Sequence, residues 1–75
     1  MITVLAFARY RTLLGFERLQ VPVGSASTLA DLLAGTRFEA LPKDALLAVN
    51  QVFVKRDAWL KDGDEVALMP PVSGG

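Results

Sequence analysis

The stretch Asp62-Gly63-Asp64-Glu65-Val66-Ala67-Leu68-Met69-Pro70-Pro71 decides how the rest of the chain is read. Asp-Gly-Asp marks a turn, because Gly accepts backbone angles closed to other residues and Asp bonds back to nearby backbone. Glu65 to Met69 then reads as a strand. Pro70-Pro71 ends it, since consecutive prolines offer no backbone donors. At the other end of the chain, Ile2-Thr3-Val4-Leu5-Ala6-Phe7-Ala8 opens with β-branched residues and reads as a strand buried on both sides. The first and last strands are expected to lie side by side. If Ile2, Val4 and Ala6 face the core, alternation turns Thr3, Leu5 and Phe7 outward, and an outward Leu-Phe pair needs a cover.

Between these two strands, Arg9 to Leu14 predicts a helical turn that Gly15 ends in a left-handed conformation. Leu19-Gln20-Val21-Pro22-Val23 has period two and predicts an edge strand, because Pro22 cannot donate to a ladder. Gly24 to Ser27 is a loop. Thr28 followed by Asp31 has the form of a capping box, opening a helix over Leu29–Ala34 with Leu29, Leu32 and Leu33 on one face and Gly35 as its stop. Phe38 to Asp44 reads as irregular. Ala45–Val49 and Val52–Val54 flank Asn50-Gln51 as two strands joined by a tight turn. Phe53 and Trp59 are read as core residues, with Trp59 and Leu60 plugging one end. The expected fold class is α+β: a mixed sheet of about five strands crossed by one main helix.

Seventy-five residues make one domain, which buries only roughly 60% of its unfolded surface. Residues 1–69 are read as that domain and residues 70–75 as a flexible C-terminal functional tail. An apolar fraction of 52% in so small a body predicts an exposed apolar patch, and such patches mark partner surfaces. The chain has no cysteine and no histidine, so thiolate nucleophiles, disulfides and the commonest acid–base group and metal ligand are missing. Eight basic residues balance eight acidic ones, which gives no field for nucleic acid or an anionic membrane. No run approaches the ~20 apolar residues of a membrane span, and no signal peptide is recognisable, so a cytoplasmic location is expected. Asp62, Asp64 and Glu65 lack Ca²⁺-loop spacing and are read as a turn, leaving no metal site. Ser73 has no adjacent base. Arg9 and Arg11 are read as solvated, with an acidic partner surface as the alternative.

By elimination, chemistry falls to the end of the chain, Pro70-Pro71-Val72-Ser73-Gly74-Gly75. A terminal glycine pair arises by chance in about one chain in two hundred. Prolines favour an extended path, so six residues reach roughly 15–20 Å, enough to enter a partner's pocket. Gly74 and Gly75 lack a Cβ and can thread a narrow channel. A free carboxylate is inert until activated, and neither a phosphate-binding Gly-rich loop nor a dinucleotide turn is present. The activating machinery must be another protein.

With Val4-Leu5-Ala6-Phe7-Ala8, Arg11, Leu13, Gly15, Thr28-Leu29, Ala48-Val49-Asn50-Gln51, Asp62-Gly63-Asp64-Glu65-Val66 and the terminal Pro70-to-Gly75 segment, the sequence resembles the small, sulfur-carrying subunits of molybdopterin synthase, within the ubiquitin-like β-grasp group. The resemblance implies that an E1-like adenylating enzyme uses ATP and Mg²⁺ to adenylate Gly75, and that a sulfurtransferase supplies sulfur to leave a thiocarboxylate there. It implies that no cofactor is bound by the chain itself. It further implies a heterotetramer in which Pro70, Pro71, Val72, Ser73 and Gly74 insert into the large subunit, where sulfur passes to cyclic pyranopterin monophosphate. The candidate docking surface is Leu5, Phe7, Arg11, Ala67 and Met69. Three alternatives stay open: a carrier for thiamine thiazole, cysteine or thiolated tRNA, a ubiquitin-like modifier, and an interaction module with an inert tail.

Overall fold

The computed structural model describes residues 1–22 and 28–71, and within them the first and last strands are neighbours. β1 (Ile2–Ala6) runs parallel to β5 (Glu65–Met69), with Val4 beside Val66 and Ala6 beside Leu68. Helix α1 (Tyr10–Leu14) follows β1 and closes on Gly15, whose φ of 82° is the expected left-handed cap. The chain returns antiparallel to β1 as β2 (Arg18–Val21), then forms α2 (Leu29–Leu33) and a 3₁₀ turn at Thr36–Phe38. β3 (Leu46–Val49) and β4 (Val52–Val54) make a hairpin, and β3 pairs antiparallel with β5. The sheet order β2-β1-β5-β3-β4 puts the two chain-terminal strands in its middle and makes β2 an edge, as Pro22 predicted.

One sheet face is the core. Ile2, Val4, Ala6, Leu47, Val66 and Leu68 meet Leu29, Leu32 and Leu33 of α2, and Tyr10, Phe38 and Leu41 close the ends. Phe16 and Phe38 pack edge to face with ring centres 6.1 Å apart. Burying each of the Val, Leu and Ile side chains in this core is worth about 1.5–3 kcal/mol, the main favourable term for a chain of this size. The Tyr10 hydroxyl is enclosed and has no hydrogen-bond partner among the described residues.

A five-residue helix cannot stand alone in water, so α2 depends on its ends. The Thr28 hydroxyl accepts from Asp31 N at 3.2 Å, and the Asp31 carboxylate accepts from Thr28 N at 3.2 Å: the capping box read from sequence. The next free donors, Leu29 N and Ala30 N, reach Ala58 O at 2.9 Å and Arg56 O at 2.8 Å. Residues 56–58 thus serve the helix through their backbone. This explains a correction: Trp59 is not a plug of the core but 74% exposed, its backbone bridging to Thr28 while its side chain stays outside. Leu60 does pack against the core. Several boundaries also differ from expectation: β1 ends at Ala6 where Ala8 was expected, and β2 begins at Arg18, one residue before Leu19. α2 stops at Leu33 with Ala34 as its cap, β3 begins at Leu46, and part of the segment read as irregular is the 3₁₀ turn that buries Phe38.

The turn cluster is more than a turn. Asp64 is only 4% exposed, and its carboxylate accepts from Asn50 Nδ2 at 2.9 Å and Lys61 N at 2.8 Å. Asn50 Oδ1 in turn accepts from Glu65 N at 3.0 Å, and Asn50 N donates to Glu65 O at 2.8 Å. The Asp64 carbonyl accepts from Thr3 N at 3.1 Å. One residue therefore ties the β3–β4 turn, β5 and β1 together. Asn50 and Gln51 both have positive φ (51° and 70°), as the tight mirror-image hairpin turn requires, and the Asn50 side-chain bonds offset that backbone cost. Asp62, by contrast, is exposed and pairs with the N-terminal ammonium, whose hydrogen bond and charge hold its carboxyl below the usual range. A surface pair of this kind adds little to stability.

Asp64→Asn is expected to destabilise the fold by about 1–3 kcal/mol in urea unfolding. The amide would accept from Lys61 N but would aim a donor at Asn50 Nδ2. Flipping Asn50 only moves the conflict to Glu65 N. Unchanged stability would show that this network does not hold the hairpin.

Candidate functional site

The side of the sheet away from α2 carries the candidate site. On β1 and β5, Ile2, Val4, Ala6, Val66 and Leu68 point to the core, so Thr3, Leu5, Glu65, Ala67 and Met69 lie on the opposite face. Phe7 follows β1 on that same alternation and is 44% exposed. Its backbone N donates to Leu68 O at 3.0 Å, which holds it level with the end of β5. Ala8 adopts φ 53°, a left-handed angle unusual for a residue with a Cβ, at the turn from the strand into α1.

A shallow groove runs across this face between Leu5, Phe7, Ala67 and Met69 on one side and Ala48 and Phe53 on the other, with Gln51 and Glu65 as its polar end. Four of the five docking residues expected from sequence line it. The fifth, Arg11, lines an adjoining hollow with Leu5, Phe7 and Glu17, its Nε directed at Ala8 O at 3.4 Å. Met69 sits at the last position of β5, so Pro70 and Pro71 leave the sheet at one end of the groove, where both are half-buried. Val72, Ser73, Gly74 and Gly75, the rest of the expected functional tail, lie outside the described residues.

Phe53 corrects the sequence reading. It is 68% exposed rather than core, and it supplies one wall of the groove. The reason is register. A two-residue turn at Asn50-Gln51 pairs Val49 with Val52 and Ala48 with Phe53. Since Leu47 points into the core, Ala48 must point out, and its partner Phe53 goes with it. The turn and the strand pattern held that information; aromatic hydrophobicity alone pointed the wrong way. Ala48 was missed for the same reason, whereas the side of Glu65 follows from the alternation that places Ala67 and Met69.

The face is equipped for contact. A connected apolar surface with a polar end resembles the core and rim of a protein interface, and no nucleophile–base pair stands on it. Among the described residues no group of three or more acidic side chains is gathered in metal-binding geometry, and no helix is long and apolar enough to cross a membrane.

Comparison with known proteins agrees with this layout. The chain is 41% identical to the molybdopterin synthase sulfur carrier subunit of Escherichia coli over the whole of both chains. Its fold matches SAMP1 of Haloferax volcanii with a TM-score of 0.81 and 25% identity, covering 99% of this chain and 98% of that one. It also matches a chain in the complex of subunits 1 and 2 of molybdopterin-converting factor from Helicobacter pylori, with a TM-score of 0.69 and 25% identity over 99% and 97% of the two chains. The five-stranded sheet with its crossing helix is thus the ubiquitin-like β-grasp. The ThiS family profile matches residues 4–75, and the chain belongs to the ThiS family.

Proposed function

We propose that this protein is the sulfur-carrying small subunit of a molybdopterin synthase. The observation that carries the reading is the end-to-end match to a protein of that name, with the family profile running through the terminal Gly74-Gly75 pair. The exit of the tail beside an exposed apolar groove supports it, because a carrier must dock and insert its terminus in one movement.

In this reading the Gly75 carboxylate attacks the α-phosphorus of ATP on an E1-like activating enzyme. Pyrophosphate leaves, and the acyl-adenylate now has AMP as a good leaving group. Sulfur from a sulfurtransferase, brought to the sulfide level by a thiol reductant that cleaves its S–S bond, attacks the Gly75 carbonyl, and the bond to AMP breaks to leave a thiocarboxylate. The charged tail then enters the large subunit, where its sulfur bonds to cyclic pyranopterin monophosphate and water cleaves the bond from that sulfur to the Gly75 carbonyl carbon, returning Gly75 as a carboxylate. Gly74 gives clearance for the insertion and Pro70-Pro71 limit the paths available to the tail, which lowers the ordering cost on binding. This chain supplies the carrier group and the docking face, while ATP, Mg²⁺, acid–base groups and substrate contacts come from its partners. It is the sulfur-donating component of a sulfurtransferase complex and catalyses nothing alone.

Mass spectrometry of the protein co-expressed with its activating enzyme should show one oxygen replaced by sulfur at Gly75. Deleting Gly75 should abolish sulfur transfer and leave thermal unfolding unchanged. Persistent absence of the sulfur form, or an unfolded deletion variant, would contradict the proposal. A second reading, a protein modifier joined through Gly75 to lysines, is favoured by the likeness to SAMP1, a small archaeal modifier protein by name. Conjugates that survive reduction on a gel would support it.

For the docking face, Phe7→Asp and Phe53→Ser should each weaken binding of the large subunit by about tenfold or more, as removal of a central apolar contact does. Both residues are exposed, so stability should move by no more than about 0.5 kcal/mol. Undiminished binding in titration calorimetry would remove this face from the account.

A further inference from the structure

The groove has a charged flank that its apolar walls do not explain. β2 lies along the far side of β1, and its alternation is fixed by two contacts. Leu19 and Val21 pack toward the core, and Gln20 Nε2 donates to Thr3 Oγ1 at 2.8 Å, which puts Gln20 on the groove side. Arg18, two residues earlier, is on the groove side too. The register places it directly opposite Leu5. Arg18 is exposed and makes no ion pair among the described residues. Arg11 and Glu17 line the hollow beside Leu5 and Phe7 from the α1 side. Two guanidiniums against one carboxylate leave this flank positive. The polar end of the groove, at Glu65 opposite Thr3, carries the other sign.

We propose that Arg18 is an orienting contact of the docking face, which takes a carboxylate of the large synthase subunit and so fixes which way that partner lies across the groove. This rests on the docking reading above. An apolar patch alone is satisfied by several rotations of a partner. A tail that has to enter a pocket tolerates one. An unpaired guanidinium at one margin and a carboxylate at the far end give the face a polarity, which selects an orientation and steers encounter more than it adds affinity. Arg suits the role, since its planar fork binds a carboxylate through two hydrogen bonds. Arg11 is less free to serve, because its Nε is turned toward Ala8 O.

The test is binding of the full-length protein to purified large subunit by calorimetry and stopped flow, at low and high salt, for Arg18→Glu, Arg18→Gln and Arg18→Lys, with Phe7→Asp as reference. Arg18→Glu should weaken the complex about tenfold or more at low salt, chiefly through the association rate, and the loss should shrink at high salt. Arg18→Gln should cost roughly two- to fivefold, the range of an exposed ion pair, and Arg18→Lys less. Circular dichroism checks folding; should Arg18→Glu misfold, the Gln and Lys pair carries the test. If Phe7→Asp weakens binding while every Arg18 variant binds like the parent at both salts, the Arg18 assignment is overturned and the docking face stands. If Phe7→Asp is silent as well, the docking reading falls with it.

Discussion

The parallel pairing of β1 with β5 is the constraint on which the rest of the molecule depends. It joins the two ends of the chain at the centre of the sheet, so each central strand is flanked on both sides and buries one face completely. Parallel strands cannot be joined by a short turn, and everything between them, including α2, has to serve as the crossover. The Asp64 cluster fixes the register of that pairing, because its carbonyl receives Thr3 N while its carboxylate holds the hairpin turn. The consequence for function is positional. A chain leaving the middle of a sheet, not its edge, emerges between Phe7 on one side and the start of β3 at Leu46 on the other.

A core this small cannot enclose all the apolar side chains the sequence supplies. Part of the surplus, Met1, Leu13, Val52 and Trp59, is exposed elsewhere, and part is gathered on one face. Leu5, Phe7, Phe53, Ala67 and Met69 share the face opposite the helix, a face that a second layer of helices would cover in a larger domain. Leaving it open costs solubility and stability, and it gives a partner a surface that is already ordered.

Much of this was legible in the sequence wherever local rules and tertiary structure agree. The outward Leu5 and Phe7, the capping box at Thr28 and Asp31, the Gly15 cap and the strand Glu65–Met69 follow from alternation, hydrogen-bonding capacity and backbone freedom, and the structure has each of them. Phe53 and Trp59 were misread because size and apolarity say how much a side chain gains from burial, not which way its strand or strap faces. That direction came from the two-residue turn in one case and from backbone service to α2 in the other. Asp64 was under-read for the complementary reason. As part of Asp-Gly-Asp it looks like any turn, and its burial depends on Asn50, fourteen residues away, coming to meet it. Arg18 needed the register with Leu5 before it could be placed on the groove side at all.

If the open sheet face beside the tail exit is the surface on which a partner seats, the amides lining it must respond when that partner binds. Amide chemical-shift mapping with isotope-labelled protein and unlabelled large subunit tests it most directly. The largest perturbations are expected at Leu5, Phe7, Ala48, Phe53, Ala67 and Met69, with α2 and the Trp59 strap little changed. Perturbations confined to α2 and Trp59, with those six amides unmoved, would contradict it.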